Sequence, residues 1–329
     1  MSPLLQVEGL GVSLARTDGT RLPILEDVGF DLASGETLGV VGESGSGKSL
    51  LALALIGLLP GSAMVTGSIR FDGRDLVTAS EAELCAIHGR RIAMIFQEPM
   101  TALNPAMRIG DQIAEALRLD GMAPTAARAG ALALLDRVRI ADAANRIDAF
   151  PHELSGGQRQ RVVIAIALAR APSLLIADEP TTALDVTVQR EVLDILGELV
   201  AEAGMALILV SHDLGVIART VARTLVLYAG TRFEEAPTAA LLARPANPYT
   251  RGLIGAMPRR RTNASGGRQR LTVIPGTVPA FGALPPGCRF ANRCPDHIPA
   301  CDAGEPAWRP IGPDRAVRCI RATGEGIDG

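Results

Sequence analysis

The run Gly42-Glu43-Ser44-Gly45-Ser46-Gly47-Lys48-Ser49 matches the pattern G-x-x-x-x-G-K-S/T. These residue types suit a grip on a polyphosphate. The glycines let successive backbone N–H groups turn inward around phosphate oxygens. A helix opening at the end of the loop points its positive end at the same anion. Lys48 is then the group that reaches the β- and γ-phosphates, Ser49 offers its hydroxyl to Mg²⁺, and Leu50 closes the run of candidate nucleotide contacts. Composition sharpens the role of Lys48. Lysine and arginine together number 33, and Lys48 is the one lysine among them. A guanidinium is a planar fork and an ammonium a compact point charge, so the two are not interchangeable at a tight phosphate site.

Leu174-Leu175-Ile176-Ala177-Asp178-Glu179 supplies acids to match. An apolar strand ending in an acid delivers a carboxylate to the C-terminal edge of a sheet, where ligands of open α/β sheets sit. Asp178 is placed to hold Mg²⁺, and Glu179, one residue on, to polarise an attacking water.

The elements around these residues read as follows. Leu4–Leu10, Leu25–Leu32, Thr37–Val41, Gly67–Phe71 and Ile92–Phe96 have strand character, with a hairpin turn at Asp18-Gly19. The phosphate loop follows one of these strands and opens a helix over Ser49–Leu59, stopped by Pro60-Gly61. From Glu98 to Arg161 the texture is Ala- and Leu-rich, with helices over Ile109–Leu119 and Thr125–Ile140, which reads as an all-helical insertion. Strand and helix then alternate: Leu174–Asp178, Val186–Ala203, Ala206–Ser211, Thr224–Tyr228. That alternation predicts a parallel sheet covered on both faces.

The remaining composition excludes several classes. A chain of 329 residues allows about two domains. Apolar residues at 47% are enough for a sizeable core, and a net charge of −2 gives no pull on nucleic acid or acidic lipid. No apolar run approaches the ~18 residues of a membrane span, and the first residues lack the basic region of a secretory signal. From Pro245 onward the texture changes again. The last 85 residues hold 12 of the 22 prolines and four of the five cysteines. This region is expected to be loop-rich and separate, not a continuation of the sheet.

At this point the chain resembles the nucleotide-binding subunit of ABC transporters. Leu154-Ser155-Gly156-Gly157-Gln158 is similar to the family signature, Gln97 to the Q-loop glutamine, Ala183-Leu184-Asp185 to the D-loop, and His212 to the switch histidine. Before the resemblance is counted, His212 reads more readily as a satisfied core histidine at a strand end than as a ligand contact. The resemblance implies an ATP sandwich between two subunits, in which the signature residues Ser155, Gly156, Gly157 and Gln158 serve the partner's nucleotide. It further implies that Gln97 joins Ser49 and Asp178 at Mg²⁺ and that His212 contacts the γ-phosphate. The runs Phe96–Pro105, Asn247–Leu253, Leu284–Phe290 and Arg293-Cys294-Pro295 resemble the oligopeptide/dipeptide/nickel importer branch.

The implied fold is α/β: an ABC ATPase core with a mixed sheet, an antiparallel β subdomain, a helical insertion over about 98–161 and a small C-terminal region. Residues 1–245 form the nucleotide-binding domain and 246–329 the Cys/Pro-rich region. The implied function is ATP-driven uptake of peptides or related small solutes. Two membrane permeases, a second ABC ATPase and an extracytoplasmic solute-binding protein are the expected partners, with no nucleic acid. The expected location is the cytoplasmic face of the bacterial inner membrane. A soluble ABC ATPase acting on nucleic acid or ribosomes is the alternative, and a non-catalytic regulatory subunit a further one. One departure stands out: the family's adenine-stacking aromatic is missing, and Leu14 stands about where it belongs.

Cys288, Cys294, Cys301 and Cys319 are separated by five, six and seventeen residues, which matches no C-x-x-C zinc spacing. A reducing compartment disfavours disulfides. Four unliganded thiols and a metal site both remain open on spacing alone. The resemblance implies a 4Fe-4S cluster there, holding together a region too small to build a core.

Overall fold

The computed structural model describes residues 3–97, 102–182, 184–257 and 273–323, together with the backbone of 326–327. The strands, in chain order, are β1 (Leu5–Ala15), β2 (Arg21–Leu32), β3 (Thr37–Val41), β4 (Ala63–Phe71), β5 (Arg74–Asp75), β6 (Ile92–Ile95), β7 (Leu174–Asp178), β8 (Ala206–Ser211), β9 (Arg223–Tyr228), β10 (Thr231–Pro237), β11 (Arg309–Gly312), β12 (Arg315–Val317), β13 (Ala322–Thr323) and β14 (Gly326–Ile327). The chain divides into two compact units, one of residues 32–37 and 79–209, the other of residues 3–31, 38–78 and 210–329.

The unit containing residues 79–209 carries strands in the order β8-β7-β6, with β7 and β6 parallel from Ile92↔Leu174 to Ile95↔Ala177. Every residue of β7 and β8 is buried, as expected of short apolar runs covered on both faces. The expected helical insertion is present. Helix Ile109–Arg118 buries Ile109, Ile113 and Leu117, and helix Pro124–Arg137 buries Ala127, Ala131 and Leu135. Both stripes repeat at four residues, so one face of each helix is buried, and the small side chains of the second let the two backbones approach. Gly130 assists, because a Cβ there would meet Leu117 Cδ1 at 2.8 Å. The second helix stops short of the expected Ile140 because Arg139 turns left-handed (φ 59°), and the amides of Arg139 and Ile140 return to the Asp136 and Leu135 carbonyls. A further helix, Glu81–Ile87, has a capping box of Ser80 and Glu83. That S-x-x-E spacing is present in the sequence but is not among the elements read from it.

The other unit holds two sheets. One is antiparallel, in the order β2-β1-β4-β5, with β1 and β4 paired from Leu5↔Phe71 to Leu14↔Ala63. The turn at Asp18-Gly19 joins β1 to β2, as its sequence predicts. The second sheet is mixed: β3 pairs parallel with β9, and β10 follows antiparallel. The helix after the phosphate loop runs Lys48–Leu55, shorter than expected. It ends at Gly57 (φ 69°), where the amides of Gly57 and Leu58 bond back to Ala54 and Leu53, so the stop precedes Pro60-Gly61.

The C-terminal region corrects its expectation. It does continue the sheet: β12 pairs antiparallel with β10 at Glu234↔Val317 and Glu235↔Ala316, and β11 adds outside it. Without β12, the outer edge of β10 would present unpaired N–H and C=O groups. The strands escape a sequence reading because they are three and four residues long and flank Pro313 and Asp314. The region also takes part in a core. Phe290 and Tyr249 pack with Tyr228 and Phe233, ring centroids 4.6 to 6.0 Å apart. Among the described residues, no helix is long and apolar enough to cross a membrane.

The pairing of β12 is checked by amide hydrogen exchange. The amides of residues 315–318, including Arg318 N–H bonded to the Phe233 carbonyl at 2.9 Å, should exchange as slowly as those of β10. Complete exchange within seconds would return this segment to a loop.

Candidate functional site

β3 ends at Val41 and the helix opens at Lys48, so the glycine-rich loop spans a strand end and a helix start. Two of its glycines are required by space. A Cβ on Gly42 would meet the Leu227 carbonyl oxygen at 2.2 Å, and one on Gly47 (φ 98°) would meet Leu25 Cδ2 at 2.6 Å. Gly47 is also the N-cap, with no side chain to satisfy the first amides of the helix. Lys48 is 6% exposed, and its Nζ donates to the carbonyls of Gly42 (2.7 Å) and Glu43 (3.0 Å). Ser44, Gly45 and Ser49 are exposed, Gly47 and Leu50 are half-buried, and Ser46 is buried.

Two groups outside the loop brace it. The tight turn Ala229-Gly230 between β9 and β10 has φ of 44° and 85°. Positive φ at both central positions is the type I′ pattern that suits the twist of a hairpin. Gly230 N–H donates to the Ser46 carbonyl at 2.9 Å, and Gly230 accepts from Glu26 N–H at 2.9 Å. Glu43 is the second point of support. Its N–H donates to the Tyr249 hydroxyl at 2.8 Å, and its carboxylate accepts two bonds from Arg293 at 2.7 and 2.9 Å. None of Gly230, Tyr249 or Arg293 is assigned a role by the sequence reading. The last two lie in runs quoted only for resemblance, and in a chain with 33 basic residues of which only one is lysine a single arginine is not singled out by type.

The acids belong to the other unit. Asp178 ends β7 and is 4% exposed. Glu179 has left-handed backbone (φ 47°), a conformation that costs a non-glycine residue about 1–2 kcal/mol and recurs where function constrains the chain. Its Oε2 accepts from Gln97 Nε2 (3.2 Å) and from the Thr182 hydroxyl (2.9 Å). The structure therefore brings Gln97 and Glu179 together, and adds Thr182, which the sequence reading does not name. Glu98, Pro99, Met100 and Thr101 of the extended Q-loop run lie outside the described residues, as does Ala183 of the D-loop.

The signature opens helix Gly156–Leu168. Ser155 is its N-cap, and a capping box with Gln158 closes the first turn at 3.0 and 3.3 Å. Ser155 and Gly156 are exposed. A Cβ on Gly157 would meet Val188 Cγ1 at 2.3 Å, so this glycine also lets the helix pack closely on Val186–Ala203. Asp185 caps that second helix, accepting from the amides of Thr187 and Val188 at 3.1 and 3.0 Å. His212 follows β8 and is exposed, so it is no core histidine. The turn beneath it is fixed by Asp213 N–H on Ser211 Oγ at 3.0 Å.

The four tail cysteines line one cavity of about 20 Å³, while Cys85 stands apart and exposed. Burial pushes the Cys288 thiol up to about 12 and the Cys294 thiol to about 11, and raises Cys319 too. Among the described residues, no three His, Cys, Asp or Glu side chains are gathered closely enough to hold a metal ion.

Comparison with known proteins places this arrangement. The profile of the ABC transporter family matches residues 25–182, and that of the oligopeptide/dipeptide transporter C-terminal region matches residues 233–301. A Brucella abortus (strain 2308) relative, named for peptide import and ATP binding, is 48% identical over 320 residues, covering 97% of this chain and 95% of its own. The oligopeptide transport ATP-binding protein OppD of Salmonella typhimurium is 45% identical over 323 residues, covering 98% and 95%. The solved dimer of the ATP-binding cassette MJ0796 bound to ADP and Pi superposes with a TM-score of 0.63 at 26% identity, over 71% of this chain and 98% of that one.

The brace at Gly230 carries a prediction. A Cβ at position 230 would lie 1.9 Å from the Ile24 carbonyl oxygen. Gly230→Ala should therefore destabilise the protein by about 2 kcal/mol in chemical denaturation and weaken nucleotide binding in the folded fraction. Wild-type values for both would show that the turn does not support the loop.

Proposed function

The chain belongs to the ABC transporter family as an ATP-hydrolysing subunit of the peptide-importing kind, and from that premise we propose how its residues divide the work. The observation that carries the reading is the Lys48 ammonium, held on the carbonyls of Gly42 and Glu43 at the foot of a braced glycine-rich loop. Backbone amides of residues 44–49 take the phosphates of ATP, and Lys48 meets the β- and γ-phosphate oxygens.

Ser49 hydroxyl, the Asp178 carboxylate and the Gln97 amide oxygen are hard oxygen donors of the type Mg²⁺ takes, and they would hold it. That ion supplies charge neutralisation on the β- and γ-phosphate oxygens. Gln97 fits the task chemically, since its amide nitrogen is the atom engaged with Glu179. Glu179 accepts a proton from the attacking water, and the bonds from Gln97 and Thr182 fix its carboxylate for that step. His212 donates to the γ-phosphate.

Ser155, Gly156, Gly157 and Gln158 act on the nucleotide of a second ATPase subunit, and Asp185 lies at the same junction. The exposure of Ser155, Gly156 and Asp185 supports this, as does Val186 beside it at 83% exposure. Membrane permeases take up the motion through the helical insertion and Gln97, at the cytoplasmic face of a bacterial inner membrane, with an extracytoplasmic binding protein delivering peptides or related solutes. A net charge of −2 offers no basic stripe to favour the nucleic-acid alternative.

We further propose that the four tail cysteines are ligands of a 4Fe-4S cluster. The donor set suits it, four thiols around one cavity, although their resting placement forms no ligand cage. Such a cluster would cross-link the tail. Protein purified without oxygen should carry about four iron atoms per chain, and a chain free of iron and zinc would end this assignment.

Two variants test the ATPase roles. Lys48→Ala should lose ATP binding. Glu179→Gln should keep ATP binding and lower hydrolysis by about 10²-fold or more. Equal hydrolysis in Glu179→Gln and wild type would remove the assigned base.

A further inference from the structure

We propose that Arg293 and Tyr249 of the C-terminal region are positioning residues for ATP: they hold Glu43, and through it set the phosphate loop and the acceptors of Lys48. The inference rests on the nucleotide-site reading and adds to it a function for the tail.

A carboxylate inside a loop that grips a polyanion is electrostatically adverse. Glu43 occupies such a place, so its charge has to be answered from elsewhere. Arg293 answers it with both ends of its fork, at 2.7 and 2.9 Å. The guanidinium is itself fixed. Its Nε donates to the Pro275 carbonyl (2.7 Å), one Nη to the Tyr228 hydroxyl (3.3 Å) and the other to the Gly276 carbonyl (3.4 Å). With the two bonds to Glu43, this accounts for all five N–H donors of an arginine. The side chain is 5% exposed, so solvent screens the pair weakly. A lysine has the charge but not the fork and cannot make this set.

Tyr249 holds the same residue by its backbone. Its hydroxyl accepts from Glu43 N–H, and its ring, fully buried, is wedged against Tyr228 and Phe290 at centroid distances of 4.6 and 5.3 Å. Glu43 thus has its N–H and its carboxylate tied to the tail region. Its carbonyl is left to accept from Lys48 Nζ and from Ser46 N–H, at 3.0 and 3.1 Å. Displacing Glu43 moves the acceptor on which the ammonium rests.

The experiment is a thermodynamic cycle on the full chain, reading the Mg-ATP dissociation constant, the KM and kcat of hydrolysis, and thermal melting. Arg293→Ala should weaken ATP binding about tenfold, through KM and with little change in kcat, because it leaves Glu43 unanswered beside the phosphates. Arg293→Lys should restore only part of that loss. The effect of Glu43→Gln should change sign between backgrounds. In otherwise wild-type protein it weakens ATP binding about threefold by loosening the fork, and in Arg293→Ala it tightens binding by removing the stranded charge. A tail that merely supports folding gives no such inversion.

Tyr249→Phe keeps the ring and serves should Arg293→Ala fail to fold. It should weaken ATP binding several-fold at an unchanged melting temperature. The proposal is overturned if Glu43→Gln acts with the same sign and size in both backgrounds, or if Arg293→Ala and Tyr249→Phe bind ATP within twofold of wild type. Wild-type protein that binds no ATP would instead overturn the nucleotide-site reading itself.

Discussion

A phosphate loop has to hold several backbone amides pointing the same way before any anion arrives to stabilise them. Aligned dipoles repel, and a glycine-rich segment has many other conformations open to it. The shape therefore has to be imposed from outside the loop. In this protein it is imposed at three places. Lys48 bridges two loop carbonyls from within. Gly230 ties Ser46 to the hairpin turn between β9 and β10. Tyr249 and Arg293 tie Glu43 to the C-terminal region. The contacts range from a neutral backbone bond at Gly230 to the charged fork of Arg293 on Glu43, and together they fix both halves of the loop. The chain's one lysine lies where all three converge.

Hydrolysis places a different demand on the other unit. In the proposed division of work Glu179 is the base, and a base beside an acid has to be aimed and its carboxylate prevented from wandering. The left-handed backbone at Glu179 and the two bonds on its Oε2 meet that demand. Helix caps at Ser155 and Asp185 use the same side chains that the family places near nucleotide. A capping serine orders the first turn of its helix and leaves the amides there aligned, so structural and ligand-facing uses of the residue reinforce each other.

The sequence makes part of this legible for physical reasons. Strands β3, β7 and β8 are recovered from it because each is a short, mostly apolar run, closed by Gly42, Asp178 and the Ser211-His212 pair respectively. Helix Val186–Ala203 is recovered because Asp185 and Gly204 mark its ends. The Gly57 stop is missed because a lone glycine three residues before a Pro-Gly pair attracts less notice, although its left-handed φ is what ends the helix. The outer strands β11 and β12 are invisible for a deeper reason: β12 pairs with β10, some 80 residues back in the chain, β11 pairs only with β12, and strands of three and four residues carry no clear period. The brace on Glu43 is hidden in the same way. Residues 43 and 293 meet only because the tail folds back onto the sheet.

The stretch from Cys288 to Cys294 joins the thiol cavity to the braces on the phosphate loop. Cys288 and Cys294 line the thiol cavity, and Phe290 between them joins both that cavity and the aromatic cluster. Arg289 donates to the Ala229 carbonyl at 2.7 Å, at the turn whose Gly230 holds Ser46. Arg293 holds Glu43. Seven residues thus present thiols to one side and two buried arginines to the phosphate-loop braces on the other. The peptide units between them include the short 3₁₀ turn Ala291–Arg293. Four of the chain's ten aromatic residues are gathered beneath the loop, where the rings of Tyr228 and Phe290 lie against the Arg293 guanidinium.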